Sequence, residues 1–173
     1  MRRLTVPFGK NMLGSLKAGE EVLLNGTIYT ARDQAHKRMA EAVKAGRGLP
    51  IDLKGACIYY CGPTHTPYGR VIGSCGPTTS SRMDAFTPLL LLSGLRAVIG
   101  KGARSQEVRD ALRKHKGVYF LTYAGCGALL SGCVKKRSVA VYGDLGPEAV
   151  FRMEVEDFPL IVAIDTMGNS VYK

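Results

Sequence analysis

No stretch of the 173 residues runs to 18 consecutive apolar side chains, and even the segment from Ala85 to Ile99 is broken by Pro88, Ser93 and Arg96. That excludes a membrane-spanning helix by length. The Met-Arg-Arg start is not followed by an apolar signal region, so the expectation is a soluble, cytoplasmic protein. Cysteine is sparse and odd in number: Cys57, Cys61, Cys75, Cys126 and Cys133 include no C-x-x-C pair, and no histidine stands at zinc-finger spacing from them. Reduced, buried thiols are the reading, with neither a disulfide framework nor a metal site held by this chain alone. Acidic residues are few, 14 against 24 Lys and Arg, for a formal net charge of +10. Such a balance suits nucleic acid, an anionic small substrate or an acidic partner subunit. The basic residues are spread along the chain, and only Arg113 to Lys116 and Lys135 to Arg137 cluster, at expected helix ends. Aromatic-flanked basic strands of the kind that stack bases are missing, which argues against nucleic acid. Repeats, linkers and low-complexity segments are missing too, and 46% hydrophobic content is enough for a core, so residues 1–173 are expected to form one domain.

Alternating or β-branched residues predict strands over Arg2 to Phe8 and Glu21 to Tyr29, with Asn25-Gly26 as a hairpin turn signal. Ala35, Met39, Ala42 and Val43 recur at helical spacing after the capping-like Thr30-Ala31-Arg32-Asp33, and Gly46 stops that helix. Short strands are expected at Ala56 to Cys61, Arg96 to Gly100, Val118 to Thr122, Ser138 to Tyr142, Val150 to Val155, Leu160 to Ile164 and Ser170 to Tyr172. Helices are expected from Arg82 to Ser93, from Ser105 to Lys116, and briefly after Gly125. The rhythm of strand, helix, strand predicts an α/β fold, a mixed sheet flanked by helices. His65, in a Pro- and Thr-rich loop, is left unassigned; His36, four residues after Arg32 on a helix, is better placed to line a site.

The chain turns on Ser74-Cys75-Gly76-Pro77-Thr78-Thr79-Ser80-Ser81-Arg82-Met83-Asp84. An apolar lead-in from Arg70 to Ile72, a Gly-Pro break, four hydroxyl residues and an Arg opening an apolar segment predict strand, turn and helix N-terminus. The free N–H groups of a first helical turn, Thr and Ser hydroxyls and a guanidinium together make a cradle for a carboxylate or phosphate. An ordinary N-cap at Thr78 or Thr79 is the plainer alternative.

Gly76 to Asp84 resembles the signature of the class I fumarase and tartrate dehydratase family, in its C-terminal domain or separate beta subunit. Tyr60-Cys61-Gly62-Pro63, Ala31-Arg32-Asp33 with Ala35-His36-Lys37-Arg38, Gly100-Lys101-Gly102 and Glu154 to Pro159 extend the likeness, in the family's order, over nearly the whole chain. The resemblance implies a swivelling β/β/α-type domain and reversible hydration of a dicarboxylate, fumarate to malate first and tartrate second. It implies a 4Fe-4S cluster on a partner alpha subunit, one iron free to act as a Lewis acid, and a hetro-oligomer in which this chain alone is inactive. Thr78 would be the proton-transferring residue. Arg32, Arg82, Lys101 and Thr79 would bind substrate, His36 and Asp84 would line the site, and Asp84 would orient Arg82. Where the family usually shows a Gly-Gly-Ala-Ala-like run, this chain has Ala124-Gly125-Cys126-Gly127-Ala128, which places a thiol near the site or subunit interface. A non-catalytic regulatory subunit and a basic nucleic-acid-binding domain are the alternatives of other classes.

Overall fold

The computed structural model describes residues 1–9 and 11–173. Among them, seven strands form one mixed sheet: β1 (Arg2–Val6), β2 (Glu21–Thr30), β3 (Cys57–Tyr59), β4 (Ala97–Gly100), β5 (Val118–Leu121), β6 (Val134–Val141) and β7 (Val150–Ile164). The order is β1-β2-β3-β4-β5-β7-β6, and a further antiparallel pairing of β2 with β7 closes the sheet on itself. Strands β1 to β5 run parallel, and β7 is antiparallel to β2, β5 and β6. The helices are α1 (Asp33–Lys44), α2 (Thr87–Leu92), α3 (Gln106–His115) and α4 (Gly127–Ser131). None is long and apolar enough to cross a membrane.

Strand alternation sorts the core into two layers. Cys57 and Tyr59, Ala97 and Ile99, and Val118 and Phe120 point inside the closed sheet with Leu24, Phe158 and Val162. Their neighbours Ile58, Val98 and Tyr119 point outward, under Ala35 and Met39 of α1, Leu90 of α2 and Leu112 of α3. Both faces of β3, β4 and β5 are therefore covered, which is why these three read as unbroken apolar runs. Helix α3 has a complete set of end signals: the Ser105 side chain accepts from Val108 N at 3.3 Å, Lys116 closes it in the left-handed region, and its last turn is basic.

The α/β class is observed, and several boundaries differ from the sequence expectation. Asn25-Gly26 does not turn a hairpin but sits in a bulge within the continuous strand β2. There Asn25 accepts from Asp157 N at 3.0 Å and donates to the Asp157 carboxylate at 3.3 Å, so its hydrogen-bonding capacity is spent across the sheet. Residues 70–72 form no strand, since both edges of β3 are already taken by β2 and β4. The helix expected from Arg82 begins only at Thr87, because Pro88 is tolerated in a first turn and not in an interior; Ser80–Met83 is a 3-10 turn instead. The two strands expected around Pro159 are one. The outer edge of β7 changes partner there, from β6 (Val134 opposite Val155) to β5 (Leu121 opposite Ile161), so the missing proline N–H falls in the gap. Lys135 to Arg137 lie on β6, an exposed edge strand, and not at a helix end. Beyond β7 a single bridge, Ile164 to Ser170, replaces the expected last strand.

Gly100 ends β4 where Ser80 crosses it: a β-carbon there would lie 1.9 Å from Ser80 Oγ and 2.9 Å from the Tyr60 ring. Gly100→Ala is expected to cost about 1–3 kcal/mol through overpacking. Thermal unfolding of the variant beside wild type checks this; an unchanged melting temperature would show that Ser80 is free to move.

Candidate active site

Because β2, β3 and β4 are parallel, the segments that leave their carboxyl ends gather at one pole of the sheet, where ligands of open α/β sheets also gather. Arg32 follows β2, Tyr60 and Gly62 follow β3, and Lys101 follows β4. The segment carrying Thr78 to Arg82 returns across these ends. Thr78 N donates to the Tyr60 carbonyl at 2.7 Å, Thr79 bridges Lys101 in parallel, and Ser80 N donates to the Lys101 carbonyl at 2.9 Å. Thr78, Thr79, Arg82, Lys101 and Arg32 are thus brought together on one face.

Each side chain is held differently. Arg82 is gripped side-on by Asp33, Nε to Oδ1 at 3.0 Å and Nη2 to Oδ2 at 2.8 Å. A guanidinium has a second two-donor edge, so its Nη1 side stays available to another carboxylate. The expected Asp84–Arg82 pair is not formed: Asp33 orients Arg82, and Asp84 serves Arg104. Arg32 lies across Gly62, where a β-carbon would meet its Cδ at 2.7 Å and its Nη1 at 2.8 Å. Its Nε is buried with no hydrogen-bond partner among the described residues. The Lys101 ammonium has neither a hydrogen bond nor an ion pair among the described residues. The helix N-terminus expected at Thr78 is replaced by the short turn at Ser80, with Thr79 in the cap position and no side-chain cap bond. Thr78 is accordingly not an N-cap, and its partly buried hydroxyl is not committed to the backbone.

Sequence reasoning missed the support beneath this face. Arg104, two residues after Gly102, is 8% exposed and pairs with Asp84 at 2.6 Å. The same carboxylate accepts from Ser105 N at 2.8 Å. The guanidinium donates to Thr87 Oγ1 at 2.9 Å and Tyr60 Oη at 3.2 Å, and it stacks over the rings of Tyr60 (5.2 Å) and Tyr119 (4.9 Å). Burial alone would lower its pKa, but Tyr60 and the Asp84 carboxylate reverse the sign, and the net direction is upward. Tyr119 Oη lies 2.8 Å from the Gly102 carbonyl, which can only accept, so its one proton goes there. The 2.9 Å contact between Tyr119 Oη and Ser80 Oγ is then a donation from Ser80, which in turn accepts from Lys101 N at 3.0 Å. A lone Arg after Gly102-Ala103 carries no sequence signal that separates it from a surface residue.

His36 is fully buried against Tyr60 and Phe86, and its Nδ1 lies 2.8 Å from the Arg32 carbonyl, to which it donates. It braces the backbone of Arg32 and does not face the open pole. Cys57, Cys61 and Cys75 are buried, and burial raises all three thiols, Cys75 to about 12. Among the described residues no three His, Cys, Asp or Glu side chains are grouped to hold a metal ion. The residues present therefore do not form a ligand set for an iron–sulfur cluster. A cleft of about 1200 Å³ lies elsewhere, between Phe8, Lys54, Arg96 and His115, and none of the candidate site residues lines it.

Burial lowers the His36 pKa from 6.5 to about 4, against the raising effect of the bond to Arg32. The unfolded chain thus binds a proton near pH 6.5 that the folded chain refuses until about pH 4, so His36 favours unfolding progressively as pH falls through that window. The expected loss is on the order of 3 kcal/mol, absent above pH 7. Unfolding free energies of wild type and His36→Gln between pH 7 and 4 measure it. Parallel profiles would mean that His36 titrates normally.

The model of the family described as Fumarase C-terminus matches residues 3–173. The chain is 40% identical over 165 residues to Fumarate hydratase 2 of Leishmania major, covering 94% of this chain and 29% of the relative. It is 43% identical over 152 residues to the aerobic class I fumarate hydratase of Escherichia coli K12, covering 87% of this chain and 28% of the relative. It thus spans less than a third of the length of these fumarate hydratases. A Methanocaldococcus jannaschii chain that carries the provisional name L(+)-tartrate dehydratase subunit beta is 42% identical over 170 residues, which are 95% of this chain and 87% of that one. Matched by the family model over residues 3–173 and similar to relatives of both kinds, the chain belongs to the fumarase C-terminus family.

Proposed function

We propose that this chain is the beta part of a hydro-lyase that reversibly hydrates a four-carbon dicarboxylate, fumarate to malate. The observation that carries the reading is the convergence of Arg32, Thr78, Arg82 and Lys101 at one pole, beside family membership and a match, over 95% of this chain and 87% of the other, to a chain provisionally named a beta subunit. That last relative also favours tartrate as the second substrate to test.

In the dehydration direction a proton leaves the carbon next to one carboxylate, and hydroxide leaves the adjacent carbon. Proton removal loads extra negative charge onto that carboxylate. Arg82 through its free edge, Arg32 and Lys101 supply fixed positive charge there, and it counts most where the charge is greatest, in the transition state. The unpartnered Arg32 Nε and Lys101 ammonium need no competing contact broken before binding. Thr78 is the proton carrier of this reading, its hydroxyl giving its own proton to a base of the complex as it takes one from the substrate, and its backbone is pinned to the Tyr60 carbonyl at 2.7 Å. Asp33, by holding Arg82 side-on, fixes the plane in which a carboxylate is met.

The site lies on an open face, and among the described residues no three His, Cys, Asp or Glu side chains are grouped as metal ligands. A partner alpha subunit bearing the iron–sulfur cluster is therefore part of the proposal, and no step on this chain is routed through that group. Five free thiols agree with a reducing, cytoplasmic setting.

Anaerobic co-purification with the alpha chain, followed by assays on fumarate and tartrate, tests the reading. The chain alone is expected to be inactive and the complex active. Arg82→Lys keeps the charge and loses the two-edged grip, at a cost of about 1.5–3 kcal/mol, or roughly a ten- to hundredfold drop in kcat/KM of the complex. Turnover by the chain alone, or unchanged kinetics in a folded Arg82→Lys complex, would contradict it.

A further inference from the structure

The loop that leaves β3 is stitched at its neck, Thr64 N to the Ser74 carbonyl at 2.9 Å and Ser74 N to Thr64 Oγ1 at 2.8 Å. Between those residues the chain projects from the same pole as the candidate site. It carries Tyr68, which is 106% exposed, and Val71, which is 44% exposed. Beside its base runs the segment after β5, joined to it by Cys75 N donating to the Gly127 carbonyl at 3.2 Å. This segment carries Tyr123 at 42% and, on α4, Leu129 at 70% exposure. Val71 and Arg70 share a small cleft with Ala128 and Lys135, so the loop and α4 form one surface. Four of the nine large apolar side chains exposed among the described residues thus stand on two adjoining segments, and it is such grouping, not exposure itself, that marks an interaction surface.

Charge says what covers them. No Asp or Glu occurs from residue 61 to 83 or from 119 to 143, while Arg70, Arg82, Lys135, Lys136 and Arg137 do. Two acids from other elements engage these cations: Asp33 of α1 on Arg82 at 2.8 Å, and Glu154 of β7, held by Lys136 at 3.3 Å and Arg152 at 3.5 Å; Arg70, Lys135 and Arg137 have no ion pair among the described residues. A surface that is apolar at its tips and free of carboxylate over both segments fits an acid-bearing, apolar-lined protein surface. It does not fit a second copy as well, since two such faces would set like charges together.

We infer that the loop 64–74 and α4 are the docking surface for the cluster-bearing alpha subunit, with Tyr68 as the anchor in an apolar pocket rimmed by carboxylates. This rests on the functional reading above. Docking here sets the partner against the rim of the pole that holds Thr78 and Arg82, and so covers a site that this chain leaves open to water.

The test is anaerobic titration of the alpha chain with wild type and with Tyr68→Ser/Leu129→Ser, both exposed positions, with circular dichroism and melting temperature as folding controls. The double variant is expected to fold normally, to raise the Kd at least tenfold, and to keep kcat at saturating alpha chain. Arg70→Glu is expected to raise the Kd and to flatten its dependence on salt. An unchanged Kd in an active complex would overturn the docking surface and leave the hydro-lyase reading standing. A wild-type chain that neither binds the alpha chain nor gains activity from it would overturn both. Sedimentation of the chain alone is expected to show a monomer, and a dimer lost in the double variant would assign this surface to self-association.

Discussion

The buried guanidinium of Arg104 is the contact on which the arrangement of the pole depends. It meets Tyr60 at the end of β3, Tyr119 on β5, Thr87 at the start of α2 and Asp84 in the segment between the hydroxyl run and that helix. Asp84 in turn holds the Ser105 amide at the start of α3. Three stretches distant in sequence, at residue 60, at residues 84–87 and at residue 119, are thereby fixed against one charge. A pair so deeply buried contributes little net stability over a well-packed apolar substitute, but loss of one partner strands the other in a dry site. Its value is positional, because Tyr60 and Tyr119 are the residues whose carbonyl and hydroxyl hold Thr78 and Ser80.

Electrostatics at the pole follows the same division. The supporting layer is neutralised internally: Arg104 by Asp84, and the Ser80 hydroxyl by Tyr119 and the Lys101 amide. The outer layer is left with surplus positive charge, since Lys101 and Arg32 have no acidic partner among the described residues and Arg82 keeps one edge free. Asp33 lowers the net charge offered to an anion, yet in exchange it fixes the plane of Arg82. Orientation therefore outranks raw attraction at that residue, as expected where a carboxylate must be met in one geometry.

Much of this was legible in the sequence. Helical spacing of Ala35, Met39 and Ala42, the Ser105 cap and the apolar runs of β3, β4 and β5 all became the elements they predicted, because burial on both faces leaves an unambiguous pattern. The resemblance of Gly76 to Asp84 drew attention to the segment that crosses the ends of β3 and β4. Edges and breaks were harder. Asn25-Gly26 has the local chemistry of a turn and was overruled by the cross-sheet bonds of Asp157, while Pro159 was harmless because no strand edge needed its N–H. The cradle around Thr78 was read as a helix N-terminus, but Pro88 postponed the helix to Thr87. Arg104 was illegible for a different reason: burial of a charge depends on tertiary partners, here residues 84, 60 and 119, that no local window contains.

The most direct test of the central claim, that the pole is a proton-transferring dicarboxylate site and not merely a well-braced loop, is Thr78→Ala in the reconstituted complex. Thr78 makes no cap bond, so the substitution should leave the melting temperature nearly unchanged. The account predicts loss of turnover with dicarboxylate binding close to normal, since the missing hydroxyl acts in the transition state. A Thr78→Ala complex that turns over substrate at the wild-type rate would contradict it and move proton transfer to the partner.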